Sequence, residues 1–370
     1  VLQPAGEETN AEPGTTIGGM LIEGIFAAIP TPFYPDERVY YRKLEANMAR
    51  YSRTLLAGVV VLGSTGEAPL LSDNEQAQVL RTAAEAAAPE KVLLAGVGRE
   101  SVRGTLELAE VAAKARYDAV LVRPPSYYGS MRKAEAQLHY FRSVADRSPL
   151  PVVLYNVPHC VPQVIPVEVV AELAHHPRII GIKDSAGDVE RIRRQVELTR
   201  EVRKRTVPVT PIFEAVTGRM LTPETPQEGS FVAASDLAGG QAVATPPVAS
   251  PIKTRSKEVG FQVLCGNASV VLDAIEAGAS GGILAFAAFA PEACQEIYMA
   301  WKDHDLKLAR SKQERIAAPN RRIVGELGIG ALKYACDFNG YFGGHPRSPL
   351  TAPSRQIKDE IEVLLSGIRS

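Results

Sequence analysis

A short run rich in Val and Ile, followed by a longer stretch of helical periodicity, recurs eight times along this chain. No other feature restricts the fold as strongly. The apolar runs are GIFAAIPTPF (24–33), GVVVLGSTGE (58–67), KVLLAGVG (91–98), AVLVRPPSYY (119–128), PVVLYNVP (151–158), IIGIKDSAG (179–187), FQVLCGN (261–267) and GGILAFAAF (281–289). Each is apolar on both faces, the pattern of a parallel sheet covered by helices. The intervening segments supply those helices. NEQAQVLRTAAEAAA (74–88) follows Ser72-Asp73, a side-chain cap for a helix start. SVRGTLELAEVAAKA (101–115) carries Ala and Leu at turn spacing. Pro166 opens VEVVAELAHH where a proline is tolerated. DVERIRRQVELTREVRKR (188–205) starts acidic and ends basic, as the helix dipole favours. Eight strand–helix units predict an α/β chain closed into a (β/α)8 TIM barrel rather than an open sheet of six strands.

The runs end in polar or unusual residues: Ser64-Thr65, Tyr127-Tyr128, Tyr155-Asn156, Lys183 and Asn267. In a barrel these ends share one face, the face that carries active sites. Two segments break the pattern. Residues 206–258 are rich in Pro, Thr, Ala and Gly and lie between the sixth helix and the seventh strand. Such a connection belongs to the opposite face, so the insertion is predicted to be a loop or a subunit contact away from substrate. From 297 onward KDHDLKLARSKQERI, GALKYACDF and SRQIKDEIEVLLSGI read as further helices. The expected division is a disordered leader (1–19), a barrel (20–296) and a C-terminal helical extension (297–370).

Composition narrows the ligand. A formal charge of −1 over 370 residues leaves no basic footprint for nucleic acid or an anionic membrane surface, so a small-molecule substrate is expected. Cys160, Cys265, Cys294 and Cys336 show no CxxC spacing and read as reduced thiols in a cytoplasmic setting. His175 and His176 are adjacent, which splays them on a helix, and HExxH is absent, so no metal site is expected. No uninterrupted apolar stretch is long enough to predict a membrane span.

Lys183 is the one cation in the apolar run IIGIKDSAG, near the carboxyl end of its strand. An amine so placed is partly desolvated, which favours its neutral, nucleophilic form. A neutral amine condenses with a ketone to an imine, and the iminium is an electron sink for a carbanion. The alternative is a lysine paired with Asp184 or snorkelling from the strand end. Tyr155 ends the preceding strand and could shuttle protons beside that amine, or could simply be a core tyrosine. GSTGE (63–67) offers hydroxyls and backbone N–H groups in a glycine-bounded turn suited to a carboxylate. Tyr127 and Tyr128 are candidates for substrate contact or for an interface.

Together these residues resemble the dihydrodipicolinate synthase/N-acetylneuraminate lyase family of pyruvate-dependent class I aldolases. GSTGE, YNVP and GIKDSAGD carry the likeness in that order, over residues 22–205 and 259–350. The resemblance implies a (β/α)8 barrel with a helical C-terminal extension, assembled as a homotetramer. By motif, Lys183 would be the Schiff-base lysine, Tyr155 the proton shuttle and Ser64 part of the hydroxyl relay. Thr65 and Gly63 would hold the pyruvate carboxylate, Tyr127 would complete the relay across a subunit interface, and Gly266 and Ile283 would line the pocket. No metal or organic cofactor is implied, because the protonated imine replaces a Lewis acid.

The subgroup is read from the departures. Dihydrodipicolinate synthases follow YNVP with an arginine that holds the second substrate's carboxylate, and Cys160 stands there in this chain. Losing such a charge-assisted contact costs roughly 2–4 kcal/mol. KDSAGD, FQVLCGN and GALKYACDFNGYFGGHPRSPL look like 4-hydroxy-2-oxoglutarate aldolases, in which the residue matching Ser185 lines the site. Val161-Pro162 in place of Thr-Gly, the insertion at 206–258 and Arg123 in the fourth strand depart from both subgroups. The expected activity is aldol cleavage to pyruvate and glyoxylate. The alternatives are condensation of pyruvate with aspartate semialdehyde, and a non-catalytic binding barrel.

Overall fold

The computed structural model describes residues 20–222 and 252–368. The eight runs form strands β1 (Gly24–Ala28), β2 (Gly58–Val61), β3 (Val92–Gly96), β4 (Ala119–Val122), β5 (Val152–Asn156), β6 (Ile179–Asp184), β9 (Gln262–Cys265) and β10 (Gly281–Leu284). They close in the order β1-β10-β9-β6-β5-β4-β3-β2 with every neighbour parallel, which is the predicted TIM barrel. The seam between first and last strands needs Gly281. It sits at φ +146°, and a Cβ there would lie 2.0 Å from the Gly24 carbonyl oxygen. Side chains alternate in and out of the wall. Phe26, Val60, Leu94, Leu121, Val153 and Ile283 fill the interior, whereas Ile25, Ala27, Val59, Leu93 and Val152 pack outward against helices. Both faces are buried, which is why the runs read as continuous apolar stretches.

The surrounding helices are α1 (Tyr41–Ser52), α2 (Asp73–Ala86), α3 (Val102–Lys114), α4 (Ala134–Ala145), α5 (Val167–Leu173), α6 (Val189–Leu198), α8 (Val271–Glu276) and α9 (Pro291–Lys302). Ser72 caps α2 reciprocally with Glu75, and Ser101 and Asp188 accept the N–H groups of Gly104 and Arg191 to start α3 and α6. The helix predicted over 188–205 stops at Leu198, because Arg205–Val209 (β7) pairs antiparallel with Arg255–Val259 (β8) outside the barrel. Val207, Val209 and Val259 bury their side chains there with Leu21. The insertion therefore begins and ends in a two-stranded stem, where the sequence suggested a loop or a subunit contact. A short helix α7 (Gly218–Leu221) follows β7. Thr217 donates to the Pro89 carbonyl and Arg219 to that of Lys91, just ahead of β3. The described part of the insertion thus lies under the amino ends of the strands, away from the face expected to be catalytic. The remainder of the insertion and the leader lie outside the described residues.

Beyond the barrel come α10 (Leu306–Asn320), α11 (Ile329–Phe338) and α12 (Arg355–Leu365). The boundary expected at 297 falls within α9, which follows β10 as the eighth barrel helix, so the extension starts at α10. Ile316, Leu332 and Ala335 join the same core as the barrel helices, so the extension is packed on the barrel and not tethered beside it. No helix among the described residues is long and apolar enough to cross a membrane.

One contact between extension and barrel gives a pH signature. Arg347 grips Glu75 with two guanidinium nitrogens at 2.7 and 2.8 Å, and the Ser72 N–H adds a third bond at 2.8 Å. The Arg347 hydrogen bonds, ahead of all other influences, lower the Glu75 carboxyl from 4.5 to about 2. A depressed folded-state value stabilises above the unfolded value and is lost as pH falls toward the folded one. Urea unfolding should therefore show stability declining between pH 4.5 and about 2. Glu75→Gln should flatten that decline, and an unchanged slope would rule the contact out as its source.

Candidate active site

Lys183 on β6 lies in register with Tyr155 on β5 and Leu264 on β9. Tyr155 and Leu264 belong to the barrel interior, so Lys183 points inward as well. Its side chain is buried at 4% exposure, and Nζ stands 4.3 Å from the centroid of the Tyr155 ring. No carboxylate among the described residues pairs with it. Asp184, one residue on, faces outward. Its carboxylate accepts from Asn156 Nδ2 (3.0 Å), the Ala186 N–H (3.0 Å), Arg191 Nε (2.7 Å) and Gln195 Nε2 (2.8 Å). The alternative of a Lys183–Asp184 pair is excluded by strand alternation.

The GSTGE turn stands across the barrel mouth from β6. After Val61 the chain takes a left-handed step at Leu62, φ +59°. Ser64–Gly66 then form one 3₁₀ turn capped by Gly63. The first N–H groups of such a turn have no acceptor within it and can face an anion. Ser64 Oγ lies 3.4 Å from Tyr155 Oη, so the structure brings these two hydroxyls together. Thr65, beside it, is buried.

A cavity of about 1070 Å³ opens above this group, walled by Gly63, Ser64, Leu121, Tyr155, Cys160 and Val161 among others. Lys183, Thr65, Ser185 and Ile283 are not on that wall, and Lys183 lies past the Tyr155 ring. Ile283 is fully buried inside the barrel. Gly266 donates its N–H to the Asp184 carbonyl at 2.7 Å, and a Cβ on it would lie 2.0 Å from Ser185 Oγ. The glycine is there because Ser185 fills the space. Tyr127 is 81% exposed, with its ring edge-on to Tyr128 at 5.1 Å. Within one chain it does not join Ser64 and Tyr155, and Tyr128 borders the cavity instead.

Two features escaped the sequence reading. Glu100 accepts from the Ser126 N–H and hydroxyl and from the Tyr127 N–H at 2.8–2.9 Å, and pairs with Arg123 at 3.0 Å. Together they brace the PPSYY loop, and Arg123 also borders the cavity. Glu67 is bonded to Lys333 of the extension in a pair with no solvent exposure. The available signal was a lone lysine within the apolar GALKYACDF segment. Among the described residues no group of three or more His, Cys, Asp or Glu could hold a metal.

Comparison with known proteins accords with this geometry. The chain matches the sequence model of the dihydrodipicolinate synthetase family over residues 21–207 and 213–368. It is similar to the 4-hydroxy-tetrahydrodipicolinate synthase of Hyphomonas neptunium, at 28% identity over 349 residues, 94% of this chain and 98% of that protein. It is also similar to the N-acetylneuraminate lyase of Rhizobium meliloti, at 41% identity over 180 residues, 48% of this chain and 59% of that protein. The crystal structure of a dihydrodipicolinate synthase from Bacillus anthracis shares the fold with a TM-score of 0.74, covering 94% of this chain and 99% of that one at 21% identity. With the motif lysine, tyrosine and hydroxyl turn gathered at one barrel mouth and the family match running nearly end to end, the chain belongs to the dihydrodipicolinate synthetase family of class I aldolases and lyases.

Proposed function

We propose that this protein cleaves and forms the carbon–carbon bond beside the keto group of pyruvate through an imine on Lys183, with 4-hydroxy-2-oxoglutarate, or pyruvate plus glyoxylate, as its preferred substrate. The observation that carries the reading is the inward Lys183 amine, paired with no carboxylate among the described residues and lying over Tyr155, whose hydroxyl meets Ser64. The amine adds to the substrate keto carbon. Tyr155, backed by Ser64, delivers a proton to the resulting hydroxyl, which leaves as water. The iminium then accepts the electron pair of the C3–C4 bond as the 4-hydroxyl gives its proton to Tyr155, and glyoxylate departs. Protonation of the enamine at C3 and hydrolysis of the imine release pyruvate and restore the amine. The turn containing Gly63 and Thr65 holds the carboxylate next to the keto group.

The choice of second substrate follows the likeness of KDSAGD, FQVLCGN and GALKYACDFNGYFGGHPRSPL to 4-hydroxy-2-oxoglutarate aldolases, and Cys160, at the arginine position of the synthases, borders the cavity. Tyr127, exposed on a single chain, is assigned to a contact with a second copy in a homotetramer, where it completes the Ser64–Tyr155 relay. Four free thiols fit a cytoplasmic setting.

The test is to incubate the protein with pyruvate and borohydride, weigh it, and compare turnover of two substrates. One reduced pyruvyl group per chain is expected, with kcat/KM for aspartate semialdehyde about 10²-fold below that for 4-hydroxy-2-oxoglutarate. Consumption of aspartate semialdehyde alone would make the protein a synthase, as its Hyphomonas relative is named. An unchanged mass would leave a non-catalytic binder.

A further inference from the structure

Lys333 is buried in α11 at 0% exposure, and an ammonium there needs all three of its donors met. They are met by the Thr31 carbonyl at 2.8 Å, the His345 carbonyl at 2.7 Å and Glu67 Oε1 at 2.6 Å. The other Glu67 oxygen accepts the Arg347 N–H at 2.8 Å. Burial pushes the Lys333 amine down, while the Glu67 carboxylate pulls it back up.

Glu67 is a costly place for such an anchor. It sits between two 3₁₀ turns, Ser64–Gly66 and Ala68–Leu70, at φ +54°, a left-handed conformation that a non-glycine residue keeps only when its surroundings dictate it. The surroundings do so from three sides. Thr31 Oγ donates to the Gly66 carbonyl at 2.7 Å, Lys333 holds the Glu67 side chain, and Arg347 reaches the Leu70 carbonyl at 2.9 Å. The residue pinned in this way directly follows the turn that presents Ser64 and Thr65, and Glu67 itself borders the cavity.

We propose that Glu67 and Lys333 are positioning residues that fix the carboxylate-binding turn, so that the C-terminal extension is a working part of the active site. This rests on the imine reading above. The pair acts on substrate only through the turn. Releasing it therefore weakens recognition of the carboxylate, while the Lys183 amine stays in place on its own strand.

The experiment uses the full chain and the pair variant Glu67→Gln/Lys333→Met, which removes both charges together. The rate of borohydride trapping is measured against concentration for pyruvate and for methyl pyruvate, a ketone without the carboxylate. The half-saturating pyruvate concentration should rise on the order of 10- to 100-fold, with that for methyl pyruvate unchanged. A folded pair variant that binds pyruvate as the wild type does overturns the proposal, as does equal weakening toward both ketones. Should the pair variant fail to fold, Glu67→Asp keeps the charge but shortens the reach. The same selective rise is expected from it, and its absence overturns the proposal. A wild type that traps neither ketone defeats the imine reading and this inference with it, whereas a wild type that traps pyruvate isolates failure of the latch.

Discussion

Lys183→Ala is expected to abolish both the borohydride-trapped pyruvyl adduct and turnover, while the protein stays folded. In the proposed mechanism the buried amine is the nucleophile and the iminium formed on it is the electron sink, so nothing else in the site can take over the covalent step. Tyr155→Phe should separate the roles. It keeps the ring that lies 4.3 Å from the amine but removes the hydroxyl that meets Ser64 Oγ at 3.4 Å. Slow adduct formation should survive in that variant, with turnover down by about 10²–10⁴-fold, the range for loss of a positioned acid–base group. Stability should change little in Lys183→Ala, since no carboxylate among the described residues is left without its counter-ion. Peptide mapping decides the matter. An adduct on any other lysine, including buried Lys333 or Lys91, would remove Lys183 from the mechanism.

The fold was legible because it repeats. Eight runs apolar on both faces leave few arrangements other than a closed parallel barrel, and strand alternation then sends Tyr155 and Lys183 inward together. The turn at 63–67 was legible as a tight turn because glycines and hydroxyls cluster there. What holds that turn was not. Glu67 and Lys333 are separated by 266 residues and pair only once the extension has packed on the barrel. The stem at 205–209 and 255–259 was missed for a related reason. RTVPV and RSKEV carry too little apolar content to be read as strands alone, and they become strands by pairing with each other across the insertion. Tyr127 marks the limit of a single chain, because it is 81% exposed and its proposed place in the relay depends on the proposed second copy. Asp184 shows the opposite case. Adjacency in sequence suggested a partner for Lys183, and the two-residue period of the strand sends the carboxylate to the other side of the wall.

That separation makes Asp184→Ala the most informative stability variant. The carboxylate is 1% exposed and binds four donors, drawn from β5, the turn after β6, and two positions on α6. Removing it strands the Arg191 guanidinium, half of a 14%/1% exposed pair, together with the side chains of Gln195 and Asn156. Breaking one side of a buried pair costs about 3–5 kcal/mol. At about 1–1.5 °C per kcal/mol for a chain of this size, Tm should fall by roughly 5 °C. Asp184→Asn keeps one acceptor oxygen and should lose less. Asn156 also accepts the Ile165 N–H at 3.1 Å, so the damage spreads toward the start of α5 and not into the cavity. In the fraction that remains folded, pyruvate trapping on Lys183 should therefore persist. If Asp184 were instead the counter-ion of Lys183, the variant would keep its stability and shift the pH at which the amine traps pyruvate. Thermal melts and trapping rates on the same sample distinguish a carboxylate that holds the wall of the barrel from one that tunes the amine within it.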